Sequence, residues 1–172
     1  MKKLTACAAL VLSLAAVAAA AASAPPQDEN WLQTSISGDR FEIAGGKIAL
    51  AKATTVPAKN LARRLIKDHT KSLRDAVELA RKLGVGVPPA ATPSEQWELN
   101  RLKNMPRAWF DVQYAALEIK DHNQDIEETG FEAREGELWQ VRAEARKDLP
   151  MLNMHLKMSK SVLTMAEAAK HS

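Results

Sequence analysis

The sequence predicts an all-α protein, a bundle of four long helices with one short extra helix in the connection between the second and third. Three observations carry this. Four stretches of the 172-residue chain repeat their apolar residues with the period of a helix. One tetrapeptide occurs twice, as Ile66-Lys67-Asp68-His69 and Ile119-Lys120-Asp121-His122, each time in the middle of such a stretch. Histidine is scarce, four residues in all, and a third one, His155, also lies mid-stretch.

The N-terminus reads as a secretory signal. Lys2 and Lys3 give a positive start, Ala8 to Ala22 form an apolar run, and Ala22-Ser23-Ala24 is a small-residue cleavage motif. An alanine-rich run that ends this way fits a signal peptide better than a membrane span. Leu4-Thr5-Ala6-Cys7 resembles a lipoprotein box, but the apolar run follows the cysteine, so no lipid anchor is assigned. Residues 1–24 are thus the signal and 25–172 a single domain, exported to the periplasm or secreted. Cys7 is the chain's one cysteine and leaves with the signal, which excludes disulfide and thiolate chemistry from the exported part.

The formal charge of +3 falls to +1 once Lys2 and Lys3 are set aside, and both signs mix along every segment. Such mixing is the mark of solvated helix faces and leaves no basic patch for nucleic acid. No segment of 25–172 is apolar enough to span or anchor in a membrane, so attachment to the outer membrane has no support in the sequence. A homo-oligomer and an envelope partner both stay open.

The first helix is expected over 31–54, with Asp28 available as its N-cap. Trp31, Leu32, Ile36, Ile43, Ala49 and Leu50 fall on one side of it. Glu42 falls inside that arc beside Ser35, Gly38, Gly46 and Ala49, small neighbours that leave room for a carboxylate. Gly38, Gly45 and Gly46 lower helix propensity, so either a close approach needs them or the helix breaks near Gly38. The second helix spans 57–83, opened by Pro57 and closed by Gly84. His69 lies at the centre of its apolar half, and Asp68 sits at the edge, placed to pair with a neighbouring cation.

Residues 84–93 are rich in proline, glycine and alanine and form a linker. A short helix follows over 94–103, started by Ser94 with Glu95 and Glu98. The third long helix covers 106–128 and stops before Gly130. Two apolar edges (Phe110, Tyr114, Leu117; Ala115, Ile119, His122, Ile126) flank Asp111, Glu118 and Asp125, so carboxylates face inward, with Glu118 one turn from His122. The fourth helix covers 135–169, carries His155 near the centre of its apolar arc and Glu144 and Asp148 on the same side, and contains Pro150, which should kink it. His171 lies at the frayed end. No phosphate-binding loop or nucleophile elbow is present, and no catalytic residue is assigned.

Four helices with mid-helix acids and histidines look like a ferritin-like four-helix bundle. The motif set Trp31, Glu42, Gly46, Asp68-His69, Phe110-Asp111, Tyr114, His122, Leu149-Pro150 and His155 is sharper, and resembles the bacterial domain-of-unknown-function family numbered forty-one forty-two, often labelled predicted outer membrane protein. The resemblance covers Trp31 to Met165. It implies a ferritin-like fold and export, and no established activity. Di-iron bundles place Glu three residues before His on two helices. Here those positions are Ile66, Ile119 and Leu152, and Glu118 stands four before His122, which argues against a ferroxidase-type centre.

A single histidine on an apolar face is usually structural. Three at mid-helix in helices of similar length fall in one layer of a bundle and can converge. His69, His122, His155, Glu42 and Glu118 are therefore candidate direct ligands for zinc, copper or iron, with Asp111, Asp148 and Tyr114 supporting them from behind. The alternative is a buried histidine–carboxylate network in a non-enzymatic envelope protein, where the core only enforces packing. On that reading carboxylate partners hold the histidines as imidazolium, and the stabilisation fades on alkalinisation. A metal reverses that trend, because it needs neutral imidazole.

Overall fold

Apolar faces and caps build five helices. The computed structural model describes residues 24–169, so the signal segment, Cys7 and His171 lie outside the described residues. The helices are α1 (Pro26–Lys52), α2 (Val56–Lys82), α3 (Pro93–Asn104), α4 (Arg107–Glu135) and α5 (Trp139–Ala168). All are α-helical, as the periodicity predicts.

Several boundaries differ from the expected ones, each for a local reason. Asp28 does not cap α1. It lies inside the first turn, where its carboxylate accepts the backbone N–H groups of Glu137 (2.9 Å) and Leu138 (2.7 Å) at the start of α5. α1 runs unbroken through Gly38, Gly45 and Gly46. At Gly46 an added Cβ would sit 2.7 Å from Ile66 Cγ1 and 3.1 Å from the Ala62 carbonyl, so glycine there permits the close crossing of α1 and α2. α2 ends at Gly84 (φ +70°), with Val85 N–H donating to the Ala80 carbonyl at 2.8 Å and Gly84 N–H to that of Arg81 at 3.3 Å, a Schellman closure. Thr92, not Ser94, caps α3, in a capping box with Glu95. α4 continues through Gly130 to Glu135, because one glycine does not outweigh the tertiary packing of Ala133. α5 passes Pro150 without a break.

The end contacts settle the topology. Asp111, at the start of α4, accepts the Thr54 and Thr55 N–H groups at the α1–α2 turn (2.9 and 2.8 Å) and the Thr54 hydroxyl (3.0 Å). Asp28, at the start of α1, meets the α4–α5 turn. α4 therefore begins at the end where α1 finishes, and α2 runs parallel to α4. The segment from Leu83 to Pro106 must then travel the length of the bundle. It does so along α1: Gly86 lies by Gln33, the Pro88 carbonyl accepts from Arg40 Nε at 3.0 Å, and Lys103 meets Lys52.

The apolar interior falls into two clusters. One gathers Phe41, Leu61, Leu65, Leu102, Phe110, Tyr114, Leu117 and Val162; the other gathers Trp31, Leu32, Ile36, Ala76, Ala80, Val141 and Ala145. On α2, α4 and α5 the histidine lies between the residues of the two. The polar layer is thus a slice through the middle of the bundle.

Candidate metal centre

His69 of α2, His122 of α4 and His155 of α5 meet in that slice, all of them buried. Their ring centroids are 5.7 Å (His69–His122), 5.1 Å (His69–His155) and 5.2 Å (His122–His155) apart. One ligand nitrogen from each lies within 4.8 Å of the other two.

Each ring also presents one nitrogen to an acceptor. His122 Nδ1 donates to the Glu118 carbonyl of its own helix at 2.9 Å. A carbonyl only accepts, so this bond fixes the proton on Nδ1 and leaves a lone pair on Nε2 of the neutral ring. His69 Nδ1 pairs with Asp39 Oδ1 at 2.7 Å, and His155 Nε2 with Asp68 Oδ2 at 2.9 Å. The nitrogens left over are Nε2 of His69, Nε2 of His122 and Nδ1 of His155. His69 Nε2 has no partner at all. His155 Nδ1 lies 3.2 Å from His122 Nε2. A neutral His155 has one proton, which can serve Asp68 or His122 and not both. One donor is therefore missing between His122 Nε2 and His155 Nδ1.

Burial keeps the rings neutral. It pushes His69 down to about 4, His122 down to about 3 and His155 down to about 4, with the neighbouring imidazoles adding to the last two. This corrects the expectation of carboxylate-stabilised imidazolium: desolvation outweighs the partners, because the nearby carboxyls are themselves desolvated. Burial pushes Asp39 well above the ordinary carboxylate range. Asp68 is the exception. Burial raises it, but the hydrogen bonds from Arg64 and His155 and the Arg64 charge outweigh that and hold it below its usual value. Asp68 thus pairs with a cation, as its edge position suggests, and links that cation to His155.

The two glutamates lie on the other side of the His122 ring. Glu42 Oε1 is 3.9 Å and Glu118 Oε2 3.7 Å from Nδ1, the nitrogen already engaged by the carbonyl. Both are buried, and burial pushes Glu42 well up and Glu118 to about 8. Asp121 completes this group, its oxygen, one of Glu42 and a His122 nitrogen lying within 4.8 Å of one another. Tyr114 is buried beside them with its hydroxyl unpartnered.

Asp148 lies on the far side. It lines a polar cavity of about 30 Å³ with Asp39, His69, Ser72 and Asp125, space for about two waters. Burial raises it to about 7. Asp111 is not in the layer: from α4 its oxygens bond the α1–α2 turn, so it acts as a cap there and not behind a histidine. Sequence reasoning missed Asp39 and Asp121. Asp39 stands three residues from Ile36 and four from Ile43, a polar residue on an apolar arc. Asp121 precedes His122 as Asp68 precedes His69, so the repeated tetrapeptide carried the signal for it.

Comparison with known proteins places the chain. Residues 13–162 match the family model described as Domain of unknown function (DUF4142). The chain belongs to this family. Its motif set in the sequence had pointed to the same place. The crystal structure of a DUF305 fragment from Deinococcus radiodurans superposes on this DUF4142 protein with a TM-score of 0.73 at 15% identity, covering 83% of this chain and 99% of that one. At that identity the likeness shows the fold alone, a ferritin-like four-helix bundle. No curated protein matches the chain significantly.

Proposed function

We propose that this DUF4142 protein is an exported metal-binding bundle that holds one zinc, copper or iron ion among His69, His122 and His155. One observation carries the reading. All three imidazoles engage one nitrogen with a protein oxygen; of the remaining nitrogens, His69 Nε2 has no partner, and His122 Nε2 and His155 Nδ1 face each other with one proton too few between them. Backing acceptors of this kind set the tautomer and raise ligand basicity in metal-bound histidines. A purely structural network would be expected to close on itself, and buried polar atoms without partners are costly.

The geometry needs little change. Zinc–nitrogen bonds of about 2.1 Å in a tetrahedral site put ligand nitrogens roughly 3.4 Å apart. The His122–His155 pair is already at 3.2 Å, and His69 has to close in from within 4.8 Å. The depressed basicity of the rings favours the same occupant, because protons compete weakly for the nitrogens. Asp39 and Asp68 then serve as carboxylates that orient His69 and His155 and balance charge.

Export rests on the Lys2–Ala24 segment, which has the composition of a signal peptide. Among the described residues no helix is long and apolar enough to cross a membrane. The test is metal analysis of protein purified from the periplasm, before and after chelation, with thermal melts in added zinc or copper. Bound metal and a melt that rises with metal in wild type but not in His122→Ala are expected. Protein that is metal-free and resists reconstitution would end the proposal.

A further inference from the structure

The carboxylate side of His122 has a deficit that the three-histidine centre does not cure. Glu42 comes from α1 and Tyr114, Glu118 and Asp121 from α4, and both Glu42 oxygens, Glu118 Oε2 and the Tyr114 hydroxyl are buried without a hydrogen-bond partner. Glu42 is 0% exposed and Glu118 1%, so bulk water does not reach them. Among the described residues no lysine or arginine pairs with Glu42 or Glu118: the groups acting on them are each other, Asp121 and Tyr114. His122 cannot help, since its Nδ1 proton is committed to the Glu118 carbonyl. Leu99 of α3 lies over the same spot, 3.8 Å from where a Cβ at Gly45 would stand, with Glu118 Oε1 4.0 Å from that point. The crossover helix therefore passes close to Glu118 at Gly45.

We propose that Glu42, Glu118 and Asp121, with the Tyr114 hydroxyl, form a second cation site for a hard divalent ion of the Mn(II) type. The donor set is all oxygen, which suits manganese or magnesium over the ions that imidazole prefers. The ligand atoms of Glu42 and Asp121 already lie within 4.8 Å of each other and of His122. The buried Tyr114 hydroxyl, a neutral group that faces Glu118 without a close hydrogen bond, is what separates this from a mere gathering of acids. Two sites of different hardness then share the His122 ring as a wall, one on its Nε2 side and one on its Nδ1 side.

The test uses Mn(II) alone, followed by loss of the six-line aqueous Mn(II) EPR signal, on wild type, Glu42→Gln, Asp121→Asn and His155→Gln, with zinc binding measured on each. Wild type should take up Mn(II). Glu42→Gln and Asp121→Asn should weaken it at least tenfold while zinc affinity stays within about twofold of wild type, which also shows that both variants fold. His155→Gln should do the reverse. An undiminished aqueous signal with wild type would overturn the second site and leave protons to satisfy the acids. Mn(II) binding that survives both carboxylate changes and fails in His155→Gln would also overturn it, by placing manganese in the histidine centre. Because zinc reports the histidine centre separately, loss of one reading is distinguishable from loss of the other.

Discussion

Buried acids at the ends of the bundle and buried acids in its middle are the same residue types in opposite circumstances. Asp28 and Asp111 each sit early in the first helix of one hairpin and close the turn of the other hairpin, every bond being to a backbone N–H or a threonine hydroxyl. Asp39, Glu42 and Glu118 are equally hidden and retain bare oxygens. Asp28 and Asp111 are fully used by the fold; among the described residues Glu132, beside Asp28, is the one acid near an end that keeps a bare oxygen, its other one accepting from Gln27. The acids in the middle are left over, and leftover donors and acceptors mark where something else binds.

The difference predicts opposite signs for loss of a carboxylate. Asp111→Ala strands two backbone N–H groups and a hydroxyl, so chemical denaturation should show a loss of about 3 kcal/mol or more. A change below 1 kcal/mol would mean that the cap is not what ties the hairpins together. At the centre the largest effect comes from metal: zinc at a hundred times its dissociation constant should stabilise wild type by about 2.7 kcal/mol. His155→Gln should bring that shift close to zero. Glu42→Gln, measured without metal, should stabilise by about 1 kcal/mol, because an amide replaces a desolvated acid. A loss as large as that of Asp111→Ala would erase the contrast between ends and middle.

Titration sharpens the contrast. The histidines have folded values of about 3 to 4, below their unfolded ones, so their contribution is complete above about 6.5 and is lost as pH falls towards those values. Glu118 and Asp148 have folded values of about 8 and about 7, above their unfolded ones, so theirs is complete below about 4 and is lost as pH rises through that range. Metal-free protein should therefore be most stable in mildly acidic solution, with melting temperature falling on both sides. Glu118→Gln should flatten the alkaline arm. Bound metal should reverse that arm, since its affinity grows as protons leave.

The four long helices were legible because burial imposes a 3.6-residue period, and the meeting of His69, His122 and His155 followed from their mid-helix positions. Which partner each histidine has was not. Asp39 reaches His69 across a helix pair, and Asp68 reaches His155 across another, contacts set by the rotation of each helix about its axis. The same rotation sends Asp111 to a turn, although a seven-residue spacing aligned it with Glu118. The direction of the crossover was hidden too, because a linker of that length fits either topology until Asp28 and Asp111 fix the ends.

Glycines give the finest test of where the layer has slack. An added Cβ at Gly38 meets nothing within 4 Å, and this residue lines the cavity beside Asp39 and His69. Gly38→Ala should therefore gain helix propensity without a clash, stabilising by about 0.5–1 kcal/mol. Its zinc affinity should match wild type, since one methyl group in a cavity that admits water does not reach the rings. Gly46→Ala should go the other way, because Ile66 and the Ala62 carbonyl occupy that space. If Gly38→Ala instead weakens zinc binding, the cavity water or the motion of α1 at that point takes part in holding His69, and the middle of the bundle is more tightly fitted than its unpartnered atoms imply.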